Sequence, residues 1–143
     1  MESAHNLNRF LDAQERDYPR ALAEIKNGRK QSHWMWYIFP QISGLGFSET
    51  AKFYSIRNPE EASAYLEHPV LGRRLIEITN AILHIDGKTA NQILGSPDDL
   101  KLRSSMTLFS LLANTDPVFQ AVLDKFFNGV PDQRTVDIAT TSH

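Results

Sequence analysis

Both tryptophans of the chain fall in one stretch, Ser32-His33-Trp34-Met35-Trp36-Tyr37-Ile38-Phe39-Pro40-Gln41, which also holds a tyrosine and a histidine. A fold that needs only apolar volume draws on Leu, Ile and Val. Two indoles, a phenol and an imidazole bring N–H and O–H groups that must find partners once buried. The block is therefore either a heavily specified core strut or the wall of a pocket. If helical, it puts Trp34, Tyr37, Ile38 and Gln41 on one face and His33, Trp36, Tyr37 and Pro40 on the next. His33 and Trp36 then sit one turn apart, a spacing suited to stacking a planar ligand beside a proton donor. The same residues also alternate as a strand, with Met35, Tyr37 and Phe39 opposite Trp34, Trp36 and Ile38.

Charged and glycine-rich segments flank the block. Lys26, Arg29 and Lys30 surround Gly28 upstream, and Ser43-Gly44-Leu45-Gly46-Phe47-Ser48 leads into a helix start downstream. Backbone N–H groups approaching a helix start favour anions, so these flanks could hold a phosphate beside a stacked base. Gly-Leu-Gly matches neither the Walker nor the Rossmann pattern, and an ordinary loop uses it equally well. Arg73 and Arg74 follow Gly72, a residue that admits another backbone or a ligand at close range. Arg73 pairing with Glu77 one turn on would add only about 0.3–0.5 kcal/mol on a solvated face. Lys101, Ser104 and Ser105 form a polar cluster at i, i+3 and i+4 beside Leu102, Met106 and Leu108. A lysine among apolar neighbours can act as nucleophile or base, and the bland alternative is one that snorkels to water.

The candidate catalytic residues are thus His33 and Lys101. The candidate ligand-binding residues are Arg29, Lys30, Trp34, Trp36, Tyr37, Gln41, Arg73, Arg74 and Ser105. No metal and no cofactor is indicated. The five histidines (His5, His33, His68, His84 and His143) lack ligand spacing, and neither HExxH nor GxSxG occurs. With no cysteine, disulfides, thiolate zinc and thiol nucleophiles are excluded.

Helices must position these residues. From Asn6 to Asn27 the apolar Phe10, Leu11, Ala21, Leu22 and Ile25 keep helical spacing. Pro19 predicts a break or restart there, with Asp17 as the second cap and Gly28 as the stop. Asn58-Pro59, Ser96-Pro97 and Asp116-Pro117 each read as a cap followed by proline at the first helical position. Ser48 starts a short helix, and His68-Pro69 a long one striped by Leu71, Leu75, Ile78, Ile82 and Ile85. Leu102, Met106, Phe109 and Ala113 line one later helix, and Phe119, Leu123 and Phe126 line the next, with Gly129 as a stop. Asp132 to Ala139 predicts a last turn or two. The fold class is all-α: one compact domain over residues 1–143, with about seven to eight short-to-medium helices and at most a minor extended segment. The ends, about 1–5 and 140–143, are expected to fray.

A chain of 143 residues buries roughly 70% of its unfolded surface, enough for a core without staples. A net charge of −2 argues against nucleic-acid binding as the main activity, because that rests on phosphate neutralisation. Met1 to Asn6 carry neither a basic nor an apolar leader region, and no uncharged stretch is long enough for a membrane span, so a cytoplasmic protein is expected.

Lys30 through Gln41 with Gly44-Leu45-Gly46-Phe47-Ser48 resembles the signature of an uncharacterised, mostly bacterial family, that of unknown function 1810. Its members often carry the label "calpastatin", which has no visible physical basis. His68 through Leu75, Asp98 through Lys101 to Phe109, and Lys125-Phe126-Phe127-Asn128-Gly129 with Asp132 and Thr135 extend the resemblance over nearly the whole chain. It implies a single helical domain and brings no established activity. A remoter likeness lies in motif order: Ser32-His33-Trp34 near a lysine, then Leu71-Gly72-Arg73, then Asp98, Lys101, Met106 and Lys125-Phe126. This order is similar to that of the family processing NAD- and ADP-ribose-derived metabolites, whose members cleave N-glycosidic bonds. It implies that Lys101 and the His33–Trp36 block fall at a ribosyl-handling pocket.

Two functions follow as expectations. One is binding of a small nucleotide-like metabolite, with cleavage of its N-glycosidic bond. Trp34 or Trp36 would stack the base, Arg29, Lys30, Arg73 or Arg74 would hold phosphate, and His33 or Lys101 would act at the ribosyl carbon. The alternative is a non-enzymatic helical interaction module anchored by exposed aromatics. A deep cleft favours the first and a flat apolar patch the second. The oligomeric state is left open.

Overall fold

Phe10, Gln14, Tyr18, Ala21 and Ile25 recur at three- and four-residue spacing, and they are the buried face of α1 (Asn8–Lys26). This helix belongs to a computed structural model that describes residues 6–141. The expected fraying of 1–5 and of 142–143 lies outside the described residues. Position 19 corrects the sequence expectation, for α1 runs straight through Pro19. Pro19 and Glu15, whose carbonyl loses its partner, are both exposed, so water can serve that carbonyl while the opposite face stays packed. Asp17 consequently lies inside the helix and caps nothing.

The end of α1 is as expected. Gly28 has φ +81°, its N–H reaches the Ile25 carbonyl at 2.8 Å, and the Arg29 N–H reaches that of Glu24 at 3.1 Å. This is the Schellman arrangement, and it fixes the direction in which Arg29 and Lys30 leave the helix.

Eight further helices follow: α2 (Met35–Ile38), α3 (Glu49–Phe53), α4 (Pro59–Glu67), α5 (Leu71–Leu83), α6 (Ala90–Leu94), α7 (Asp98–Ser110), α8 (Val118–Phe127) and α9 (Gln133–Thr140). No strand occurs among the described residues. The aromatic block resolves as the single turn α2, and extended backbone is confined to one parallel bridge between Ile42 and Ile56. Ser48 caps α3, Asn58 caps α4 with Pro59 first in the helix, and Asp132 caps α9. His68 caps α5 through its ring, Nδ1 accepting from the N–H groups of Val70 and Leu71. Two caps differ from expectation. Ser96 makes no cap bond and Pro97 itself takes the cap position. At α8 the cap is Pro117, while the Asp116 carboxylate accepts the Val118 N–H at 2.8 Å.

Helix α5 packs on α1, α4 and α8, and α7 packs on α4, α6, α8 and α9. An aromatic run crosses the layers: Phe10 meets Tyr65 edge-on at 5.0 Å, Tyr65 meets Phe109 at 5.6 Å, and Phe109 meets Phe119 at 5.6 Å. The close approach expected at Gly72 is made by backbone. A Cβ there would stand 1.9 Å from the Leu66 carbonyl oxygen, so glycine lets α4 and α5 meet at their elbow. Among the described residues no helix is long and apolar enough to cross a membrane.

Candidate functional site

Glu24, near the end of α1, organises the segment that carries the aromatics. Its Oε1 accepts the N–H groups of Gln31 at 2.7 Å and Ser32 at 3.0 Å and the indole N–H of Trp34 at 2.9 Å. Its Oε2 accepts the Ser32 hydroxyl at 2.6 Å. Desolvation raises the carboxyl's pKa, but the bonds from Ser32, Gln31 and Trp34 outweigh it and hold the group below its ordinary value of 4.5. Trp34 is thereby locked into the core, 1% exposed, with Phe39 beside it. Its ring offers no accessible face for stacking.

Tyr37 is buried as well. It donates to the Asp17 carboxylate and to the His33 carbonyl, while its own carbonyl accepts from Gln14 at 2.8 Å. Burial, and then the bond to Asp17, push the phenol above its usual range.

Trp36 is the half-buried indole, and it faces a cleft of about 310 Å³. Gln41, Leu45 and Gly46, then Tyr54 and Ser55, then Leu100, Lys101 and Ser104, and last Asp132 and Arg134 line it in chain order. The Lys101 ammonium lies 5.0 Å over the Trp36 ring, in cation–π contact. It is also 3.6 Å from one oxygen of Asp98, whose other oxygen takes Lys30 at 2.9 Å. One carboxylate thus answers two ammonium groups, which leaves a local positive excess. Arg134 donates to the Gly44 carbonyl at 3.1 Å and so pins the glycine-rich loop to α9. The Asp132 carboxylate puts Oδ2 on the Thr135 N–H and hydroxyl, capping α9.

Arg29 and Lys30 line a second cavity of about 420 Å³ together with Lys88, Asn91, Gln92 and Gly95. Lys101 lines the first cavity and Lys30 the second, and Asp98 links the two.

The sequence candidates therefore separate. Trp36, Gln41 and Lys101 meet in the cleft, and Arg29 and Lys30 meet in its neighbour. Trp34, Tyr37 and Ser105 lie in the core, and the Ser105 hydroxyl has no hydrogen-bond partner among the described residues. His33 is exposed and lines neither cavity. Arg74 sits between α1 and α5, donating to Gln14 at 3.3 Å and covering the Tyr18 ring. Arg73 is exposed, and its expected partner Glu77 takes the Tyr18 hydroxyl instead. Nothing in the sequence marked Glu24, Tyr54 or Arg134 as members of the site. Asp132 was visible only within a family motif, as the residue before a helix.

The model of a family described as protein of unknown function, DUF1810, matches residues 4–139. The crystal structure of the conserved hypothetical protein Rv1873 from Mycobacterium tuberculosis matches with a TM-score of 0.93 at 45% identity. That match covers 95% of this chain and 97% of the other. No curated protein matches.

Proposed function

The chain belongs to the DUF1810 family, and from that premise we propose that its Trp36–Lys101 cleft binds a small nucleotide-like metabolite derived from NAD or ADP-ribose and cleaves its N-glycosidic bond. One observation carries the proposal: a half-buried indole and a lysine ammonium 5.0 Å above it face a cleft of ligand size. The indole supplies a stacking surface for a base, and Arg134 supplies charge for a phosphate. Gln41, Tyr54 and Ser104 add neutral polar groups along the wall.

Hydrolysis of such a bond breaks C1′–N, gives the leaving base a proton and adds water oxygen to C1′. In our reading Lys101 donates that proton to the base on Trp36 and takes one back from the attacking water. The Asp132 carboxylate faces the positive charge that grows on the ribosyl carbon. His33, outside the cleft, has no part in it.

Tryptophan fluorescence tests the binding step, because the two indoles separate by environment. Saturable quenching by NAD, ADP-ribose or a nucleotide is expected in the native protein and in Trp34→Phe, and it should vanish in Trp36→Phe. Release of free base should then be lost in both Lys101→Ala and Asp132→Asn. A silent Trp36 across the panel, with the protein folded, overturns the proposal.

A second reading has its own support. Leu100 of the cleft lining is exposed, as are Phe47 and Phe53, each next in sequence to a lining residue, Phe47 most of all at 76%, and they would suit a partner's apolar surface. Loss of partner binding in Phe47→Ser with ligand quenching unchanged would favour an interaction module.

A further inference from the structure

The cavity beside the aromatic cleft has a one-sided chemistry. Its lining holds three cations, Arg29, Lys30 and Lys88, and no carboxylate, while two carboxylates touch lining residues from outside it: Asp98 takes Lys30 at 2.9 Å and Asp99 takes the Asn91 amide at 3.3 Å. The whole chain has 17 acidic against 15 basic residues, so this is a local concentration against the overall charge. The Schellman end of α1 aims Arg29, and the Lys30 N–H donates to the Ile93 carbonyl at 2.7 Å, joining that segment to α6. The Lys88 ammonium donates to the Gly28 carbonyl at 2.9 Å. That bond and the Lys30–Asp98 bond engage one N–H donor apiece of the three that each ammonium carries. The Arg29 guanidinium makes no hydrogen bond or ion pair among the described residues, which leaves its whole fork for an incoming group. A guanidinium that shares a cavity lining with two ammonium groups suits tetrahedral oxyanions, which it holds with two parallel bonds.

The cavity also adjoins the stacking cleft. Gly95 lines one and Pro97 the other, two residues apart in the chain. Lys30 and Lys101, joined through Asp98, link the two linings.

We propose that this basic cavity is the diphosphate subsite of the ligand that stacks on Trp36, which makes the ligand class a nucleoside diphosphate or its ester. The inference rests on the stacking role given to Trp36 above. Arg29 clamps the far phosphate, with Lys30 and Lys88 in the same lining.

The probe is inorganic diphosphate, titrated into the full chain at low salt and followed by backbone amide NMR shifts. Saturable shifts centred on residues 28–30, 88 and 91–95 are expected. Arg29→Ala should weaken binding about ten-fold or more, the scale of one charged clamp, without altering the melting curve. Isothermal titration then compares a nucleoside with its diphosphate. The diphosphate should bind at least about ten-fold more tightly, and Arg29→Ala should erase that gain. No saturable diphosphate binding, or equal affinity in Arg29→Ala, overturns the subsite. A nucleoside that quenches Trp36 but gains nothing from its phosphates overturns it too, and leaves the stacking role standing. Diphosphate binding with no nucleoside response at Trp36 retains the anion site and removes the shared ligand.

Discussion

Glu24 shows how one carboxylate can decide what two tryptophans do. Four donors converge on it from residues 31–34, and the indole of Trp34 is among them. With Trp34 held inside, the turn of α2 leaves Trp36 at the cleft. Glu24→Gln keeps the shape but places an amide N–H against donors. It should cost roughly 1 kcal/mol, below the usual range for charged hydrogen bonds because solvent reaches the group. Urea denaturation at neutral pH measures that loss. The pH dependence has a definite sign. The folded-state carboxyl lies below its ordinary 4.5, so its contribution is complete above that value and disappears as pH falls through the lower folded value. Native protein should therefore lose stability below pH 4.5 more steeply than Glu24→Gln does; parallel curves would refute this role. Sequence reading found the aromatic concentration but could not divide it. Which indole is buried depends on a glutamate ten residues upstream, and neither periodicity nor motif links those positions.

Helices were legible wherever local chemistry writes their ends. Ser48, Asn58 and Asp132 cap as their residue types demand, and Gly28 stops α1 with the expected positive φ. The short α6 went unread although its signal is present: Thr89 and Gln92 form a reciprocal capping box, obscured because only five residues follow the cap. Pro19 misled for the opposite reason. Its local penalty is real, but tertiary packing along Tyr18, Ala21 and Ile25 outweighs it. Gly72 makes the same point in reverse, since by propensity alone alanine would favour α5 by about 0.8–1.0 kcal/mol. The Leu66 carbonyl forbids it, because a Cβ 1.9 Å away must push α4 from α5. Gly72→Ala should destabilise by about 2 kcal/mol, as overpacked cores do, and lower the urea midpoint. A variant as stable as the native protein would mean that the elbow is not closely packed.

Across the whole molecule the cleft wall is tied to the core through the Arg9–Glu61 pair. Arg9, on the first turn of α1, donates to the carbonyls of Phe53 and Ser55 and to Glu61 of α4, each at 2.9 Å. Glu61 is fully buried and also accepts the Arg57 N–H at 3.0 Å. The segment gathered in this way runs from Phe53 to Arg57. It supplies Tyr54 and Ser55 to the cleft, and Ile56 to the bridge with Ile42. Desolvation raises the Glu61 pKa, yet the Arg57 N–H and the Arg9 guanidinium prevail and hold the carboxyl low. Removing Arg9 takes one cation from a buried carboxylate that keeps the Arg57 N–H at 3.0 Å and the Arg57 guanidinium at 3.5 Å, so Arg9→Met should cost about 1.5–3 kcal/mol, the scale of a hydrogen bond to a charged group. Arg9→Met with Glu61→Leu removes both charges and should recover most of that loss, because apolar replacements of similar size satisfy themselves. The carbonyls of Phe53 and Ser55 still lose their donor in the double variant. Stability and function should therefore part company: near-native melting, with Trp36 quenching weakened about ten-fold or more by a loosened wall. Melting curves and ligand titrations on the three proteins test this together. A double variant that is stable and also binds normally would show that the pair serves the fold alone.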